Sequence, residues 1–353
     1  MLGSSRSNFK AAVLTELKSD LVIEDIELPG TLEVGQVLVK LRYSGICGSQ
    51  IGEIDGVKGP DRWLPHLLGH EGAGYVEQIG PGVTTVAAGD AVVLHWRPSL
   101  GIQATPAKYS ANGKKVNAGW VTTFNELAIV SENRLTVIPN TIDMKIAALY
   151  GCAVTTGFGV IDNKSGIKLG QSVVVFGAGG IGLNIVQGAA LAGAKKIIAV
   201  DRYSNRLDLA KKCGATHTID GSKQDPWQQI EAALSADQLD IFIDNTGNTE
   251  VVGRGYNIIG PHGRVVLVGV PKAGDQALLY TLPLHFGKSI TGSHGGEAIP
   301  HEDIPRYMGL TESKGIDLND IITEVAPLIE INDLIRMMRS GESAGRCLVD
   351  FDL

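Results

Sequence analysis

The stretch Ser172-Val-Val-Val-Phe-Gly177-Ala-Gly179-Gly180-Ile181-Gly182 decides the fold of this chain, together with Asp201, 19 positions further on. An apolar strand runs into Gly177-x-Gly179-x-x-Gly182, a helix opens, and a second apolar run ends on an acid. That order is the dinucleotide-binding fingerprint in its proper context. Gly177 lets the chain turn tightly after the strand. Gly179 removes the side chain that would keep a pyrophosphate from the backbone. Gly182 lets the helix lie close to the sheet. Gly180 and Ile181 open the helix, whose free N–H groups and positive end suit phosphates. Asp201 is placed to accept both adenosine ribose hydroxyls and to repel a 2′-phosphate, which favours NAD over NADP; Arg202 and Arg206 weaken that preference slightly.

Outward from this stretch the pattern alternates strand and helix. Strands are expected at 173–176, 196–200, 216–219, 241–244 and 264–268, and helices near 180–192, 205–212, 227–236 and 250–259. Such alternation predicts an α/β fold, a doubly wound parallel Rossmann sheet covered by helices on both faces. Before it, short β-like runs separated by glycine turns (10–14, 37–44, 74–79, 91–94 and 122–130) predict a mainly-β domain. A helical stretch at 143–156 joins the two. After about Ile290 the pattern is irregular and finishes on a helix (332–340) and a strand (346–351). The expected division is 154–292 for the dinucleotide-binding domain, with 1–153 and 293–353 forming the other.

Composition narrows the function. The 353 residues suffice for two domains. A net charge of −7 without a basic block argues against nucleic acid. The most apolar stretch, Ile181 to Ala194, is too short for a bilayer and holds Asn184 and Gln187, so no membrane association is expected. The N-terminus, with its serine-rich Gly3 to Ser7, is polar and has no apolar signal core. Four scattered cysteines do not suggest a disulfide framework, and a reducing cytoplasm is the expected location.

Two of those cysteines and a histidine carry a second signal. Gly45-Ile46-Cys47-Gly48-Ser49 stands at a strand end, Gly69-His70-Glu71 lies between glycine turns, and Gly151-Cys152-Ala-Val-Thr155-Thr156-Gly157 falls at the domain junction. Two thiols and one imidazole suffice for a catalytic zinc with one open position. Their distant spacing is uninformative alone, and scattered Cys and His are commonly core residues. With Gly89-Asp90 and Arg339-Ser-Gly-Glu-Ser-Ala-Gly-Arg346, the motifs in this order resemble the zinc-dependent alcohol dehydrogenases of the medium-chain dehydrogenase/reductase superfamily. The likeness runs from about Phe9 to Phe351 and is nearer the class I and class III branches than the polyol branch.

The resemblance implies a GroES-like catalytic domain beside the Rossmann domain. Cys47, His70 and Cys152 would hold the zinc, and Glu71 would be an acid close behind the ligands or, alternatively, a transient ligand. Ser49 would take the alcohol proton as hydride passes to the nicotinamide. Thr156 and Val268 to Val270 would contact the nicotinamide, and Arg346 would reach the pyrophosphate. Substrates would be small alcohols or carbonyl compounds, with the thiol adducts of formaldehyde, or sugars, cyclitols and polyols, as alternatives. A dinucleotide-binding redox sensor is the non-enzymatic alternative, and the retained Cys47, His70, Cys152 and Ser49 oppose it. A homodimer or homotetramer is implied, with 264–270 and 288–291 as contacts.

Three departures from the family stand out. Relatives carry four close cysteines in a lobe that here corresponds to His95–Trp120, which has none, so one zinc and not two is expected. The stretch Arg97–Tyr109 would be a metal-free loop, held by packing or by an oligomer contact. Gln50 replaces the aspartate that buttresses the histidine ligand and gives it less charge support. Gly52 replaces a relay histidine, leaving Glu53 and His66 as nearby polar groups. Trp96 would narrow the substrate pocket or sit in the core. His294 and Glu297 follow the last sheet strand, where they could face substrate.

Overall fold

The computed structural model describes residues 8–223 and 225–353, so the polar tail at 3–7 lies outside the described residues. The chain divides into two compact units, 1–152 with 299–353 and 153–298. The second junction falls six residues later than expected. Gly296 explains this: its backbone packs directly on Gly159, so the turn Gly295–Glu297 stays with the helix Ala153–Gly159.

In the second unit, six strands pair in parallel. Their order across the sheet is His217–Asp220, Lys196–Asp201, Ser172–Phe176, Leu239–Asp244, Ile259–Leu267 and Ser289–Gly292. The order reverses direction at Ser172–Phe176, which makes the ends of that strand and of Leu239–Asp244 the crevice of the sheet. Val173, Val174 and Val175 are fully enclosed, as parallel strands covered on both faces require. Helices Gly180–Leu191, Ser204–Lys212, Pro226–Leu234 and Thr249–Ile258 connect the strands, within two residues of their expected limits at each end. Phe176, Trp227 and Phe242 stack in the core beneath them.

The first unit is built on two sheets. One orders His66–Leu67, Asn8–Leu14, Val22–Glu27, Tyr109–Ala111 and Lys114–Val116. The other orders Leu135–Val137, Ala91–His95, Glu71–Ile79, Gln36–Gly45, Arg346–Asp350 and Ile322–Pro327, with Leu127–Ser131 also paired to Gln36–Gly45. The C-terminal strand thus completes a sheet begun by the N-terminal third and closes the unit on itself. Its core gathers Ile46, Phe124, Ile331 and Val349 on one side and Val37, Val76, Leu94 and Val130 on the other.

The expected helix at 143–156 is two helices, Met144–Leu149 and Ala153–Gly159, with Cys152 in the break. A Cβ on Gly151 would stand 2.3 Å from the Leu94 carbonyl oxygen, so the break presses onto the sheet only because residue 151 is glycine. The cysteine-free loop is held by buried polar anchors and by its buried Ala104, Ala107 and Tyr109. Glu132, fully enclosed, accepts the backbone N–H groups of Thr84, Thr85 and Ile102 at 2.6–2.8 Å. Burial raises its pKa, but these bonds outweigh that and lower it. Ser131 Oγ accepts from Ala104 N at 2.7 Å, and the Gln36 amide donates to Thr105 O at 2.9 Å.

Candidate metal centre and dinucleotide loop

Three chain segments bring the expected ligands together within the first unit. The strand Gln36–Gly45 ends just before Cys47, which caps the short helix Gly48–Ile54. Gly69, at φ +91°, turns the chain after the strand His66–Leu67 and delivers His70; a Cβ there would lie 2.3 Å from Thr123 Oγ1. The break between the two junction helices delivers Cys152. The ligand atoms of Cys47, His70 and Cys152 all lie within 4.8 Å of one another. Both thiols are buried, and His70 Nε2 is enclosed without a hydrogen-bond partner among the described residues. A soft thiolate pair with one imidazole is a zinc donor set, and an orphaned ring nitrogen aimed into it is what a metal ion would satisfy.

Charge supports the same fit. Cys152 shares its proton with Cys47, which lowers the Cys47 pKa and raises that of Cys152; Arg346 and His70 favour the Cys47 thiolate further. Glu71 is fully enclosed, and its Oε2 lies 2.6 Å from Arg346 Nη2. Burial opposes the Arg346 charge, but Glu71 and the two thiols more than offset it, so its pKa is raised. Two thiolates and one carboxylate against one guanidinium leave a charge of −2, which one divalent ion cancels.

Arg346 is 2% exposed and donates to Glu71 and to the Ile46 carbonyl oxygen, which makes it a counter-charge beside the metal ligands. Glu71 lies beside the converging triad, paired with Arg346. The pair fits only because residue 45 is glycine: a Cβ there would meet Glu71 Oε1 at 2.0 Å.

Gln50 touches His70 Nδ1 through its amide nitrogen and accepts the Cys47 N–H on Oε1 at 3.2 Å. A metal on Nε2 puts the imidazole proton on Nδ1, which needs an acceptor there. An aspartate would present an oxygen on either side. Gln50 presents one only after a half-turn of its amide. Ser49 is exposed in the first turn of the helix, and its hydroxyl has no hydrogen-bond partner among the described residues. Trp96 is half-buried with its ring centroid 6.4 Å from that of His70.

In the second unit the glycine loop takes the expected form. Gly177 has φ +98°, and a Cβ on Gly182 would stand 2.0 Å from Gly177 O. Gly180 and Ile181 form the first turn of the helix. Asp201 ends its strand, buried, accepting from Ala178 N at 2.8 Å and Tyr203 N at 3.1 Å, with Arg206 Nη1 3.8 Å away. Arg202 and Arg206 both lie over the Tyr203 ring. Thr156 is buried in its helix, while Val268 and the exposed Val270 follow the strand Ile259–Leu267. Gly247 and Gly269 let the loops after Leu239–Asp244 and Ile259–Leu267 touch backbone to backbone. His294 and Glu297 cap a 3-10 turn, and Glu297 pairs with Lys164 at 3.2 Å, which gives them a structural role.

Residues 33–140 match the alcohol dehydrogenase GroES-like domain, and residues 180–313 match the zinc-binding dehydrogenase domain. The NDMA-dependent alcohol dehydrogenase of Amycolatopsis methanolica is 32% identical over 366 residues, covering 95% of this chain and 96% of that protein. The chain belongs to the zinc-dependent alcohol dehydrogenases. The S-(hydroxymethyl)glutathione dehydrogenase of Synechocystis sp. is 31% identical over 95% of the enzyme and 97% of that relative. The crystal structure of benzyl alcohol dehydrogenase from Acinetobacter calcoaceticus superposes with a TM-score of 0.86 at 27% identity, covering 98% of the enzyme and 99% of that chain. The enzyme is a zinc- and NAD-dependent oxidoreductase that acts on small-molecule alcohols or carbonyl compounds. Sequence reasoning missed one residue beside the site, Asp61, which stands with Glu53 and His66 in a second cluster. Its one sequence signal is an acid next to the Gly59-Pro60 turn, five positions before a histidine.

Proposed function

We propose that Cys47, His70 and Cys152 hold one zinc ion per chain, and that the enzyme oxidises an alcohol or reduces its carbonyl partner with NAD(H) at that centre. The observation that carries this reading is the convergence of the three ligand atoms within 4.8 Å, with His70 Nε2 enclosed and unpartnered. Zinc supplies Lewis-acid polarisation of a bound oxygen, and NAD supplies the hydride acceptor. The chain's own groups do the rest. Gln50 orients the His70 ring. Glu71 and Arg346 balance the thiolates in a dry interior. The exposed Ser49 hydroxyl receives the substrate proton and releases it to solvent. Asp201 receives the adenosine ribose hydroxyls, and the glycine loop with the first turn at Gly180 and Ile181 receives the pyrophosphate. Thr156, Val268 and Val270 border the nicotinamide.

We further read the enzyme as a cytoplasmic homo-oligomer, a dimer or tetramer. The strand Ser289–Gly292 is an open edge of the parallel sheet, and Leu278, Tyr280, Leu282 and Phe286 are exposed in the same unit.

The test is metal analysis joined to one substitution. Purified enzyme should contain about one zinc per chain, by the three-ligand argument. Cys47→Ala should lose both the metal and turnover while NADH binding, followed by nicotinamide fluorescence, persists. Turnover that survives in Cys47→Ala overturns the ligand assignment, and two zinc ions per chain overturn the single-site reading.

A further inference from the structure

The first unit contains a cavity of about 640 Å³, within the size range of small-ligand sites. Gln50 and His70 line it, so it reaches the metal centre. Ala118 and Gly119 form part of its wall, and their small size leaves the space open.

The polar wall carries both signs, with Lys108 and Lys115 lining it as well as a cluster of acids. His66 is buried and cannot turn: Nδ1 donates to Leu67 O at 3.0 Å, and Nε2 faces Asp61 Oδ2 at 2.8 Å. Asp61 Oδ1 accepts from Trp63 N at 2.8 Å, so the acid is fixed as well. Glu53 has a ligand atom within 4.8 Å of theirs, and its carboxylate has no partner among the described residues. Asn117 is oriented by donating to Trp63 O at 2.7 Å. Carboxylates accept only, with about four lone-pair directions each. The carboxylates therefore ask the ligand for several hydrogen-bond donors at once, and Lys108 and Lys115 offer donors to its oxygens, a pairing that hydroxyl groups satisfy on both counts. Opposite in chemistry, Trp63 and Trp120 line the same cavity and are 56% and 45% exposed; Arg62 lies over the Trp63 ring at 4.9 Å and Arg134 over the Trp120 ring at 5.4 Å, so each indole has at most one flat face for a ligand.

We propose that this cavity is the substrate site and that it selects a polyhydroxylated ring alcohol, a sugar or cyclitol. Neighbouring hydroxyls donate to Glu53 and Asp61 while the C–H face of the ring lies on Trp63 and Trp120. This rests on the reading of the metal centre given above. A simple aliphatic or benzylic alcohol would bury these acceptors without donors. In the reaction, the carbinol C–H bond breaks and its electron pair passes as hydride to NAD. The hydroxyl proton passes to Ser49 and solvent, and a ring ketone or lactone forms.

The experiment compares myo-inositol and D-glucose with cyclohexanol, benzyl alcohol and S-(hydroxymethyl)glutathione, in the zinc-loaded enzyme with NAD. Cyclohexanol has the inositol ring without the additional hydroxyls. At least one polyhydroxylated ring should exceed cyclohexanol in kcat/KM by roughly 100-fold or more, since a site built to hydrogen-bond hydroxyls rejects analogues that lack them. Glu53→Gln and Asp61→Asn should each raise KM for that ring by about 10- to 100-fold and narrow its lead over cyclohexanol. Independently of turnover, titration with the same ring should quench tryptophan fluorescence, and Trp63→Phe should reduce the quench. Preference for cyclohexanol, benzyl alcohol or the glutathione adduct overturns the proposal while leaving the metal centre intact. Absence of both quench and polyol turnover also overturns it. A second zinc equivalent that disappears in Glu53→Gln overturns it too, by making the cluster a metal site. Failure to oxidise any alcohol, with quenching retained, would count instead against the reading of the metal centre.

Discussion

His95, at the end of the strand Ala91–His95, is fully enclosed, and its ring nitrogens have unlike partners. Nδ1 must donate to the Arg97 carbonyl oxygen at 2.8 Å, so Nε2 of the neutral ring accepts the Thr136 hydroxyl at 3.0 Å. Burial is the main reason that its pKa falls to about 4. A histidine depressed in the fold binds its proton more readily when unfolded. Its contribution is therefore complete above the unfolded value near 6.5 and is lost as pH falls towards 4. Between pH 7.5 and pH 5 this one residue should remove about 2 kcal/mol of stability. Urea unfolding of the wild type and His95→Gln at both pH values checks this: the variant should lose correspondingly less on acidification. Neither this histidine nor the metal ligands could be placed by spacing. Cys47, His70 and Cys152 are 23 and 82 positions apart. Only a folded chain makes them neighbours, and the resemblance rather than the residues supplied the set. Arg346 shows the same limit. Its position in a motif was legible, but its commitment to Glu71 depends on the empty space at Gly45, which belongs to another strand.

At the scale of elements, the glycine loop is a steric statement. The helix Gly180–Leu191 starts where it does because a Cβ on Gly182 would overlap the Gly177 carbonyl oxygen. Gly182→Ala must push the helix start away from the strand Ser172–Phe176. It should weaken NADH by about tenfold or more, the cost of overpacking a close contact. Fluorescence titration reads the affinity, and the zinc content of the variant should stay at the wild-type level because the ligands belong to the other unit. An unchanged NADH affinity would remove the loop from the phosphate site. The central strands of this sheet were legible because parallel strands covered on both faces are short unbroken apolar runs, set off by glycine and by helical periodicity. Other elements gave no such signal. The helix Pro300–Lys314 carries Pro305 inside it and glutamates, lysine and arginine around it, so its buried Ile304, Tyr307 and Met308 do not read as a continuous stripe. The helix Gly48–Ile54 is short and glycine-containing. The strands Tyr109–Ala111 and Lys114–Val116 have three residues each, too few to show a period of two.

At the scale of the whole molecule, exposed apolar side chains gather along one region of the second unit. From Leu278 to Phe286 four large apolar side chains are 50–94% exposed, and the sheet ends beside them on the strand Ser289–Gly292 with its outer backbone groups unpaired by any strand among the described residues. An open parallel edge flanked by apolar side chains is a template for association, and monomers ordinarily cover or charge such an edge. A second copy of the same edge would satisfy the backbone groups, and the apolar side chains would leave water together. At a two-fold axis the same patch serves both partners, which favours a closed pair over a filament. Leu278→Asp combined with Phe286→Lys places charge within that patch, far in sequence from the ligands Cys47, His70 and Cys152. Light scattering after gel filtration should give a dimer or tetramer for the wild type. The double variant should shift towards the mass of one 37.3 kDa chain while keeping its zinc. A wild type that elutes as a monomer, or a double variant whose assembly is unchanged, would place the interface elsewhere and leave the exposed run from Leu278 to Phe286 without a partner of its own kind.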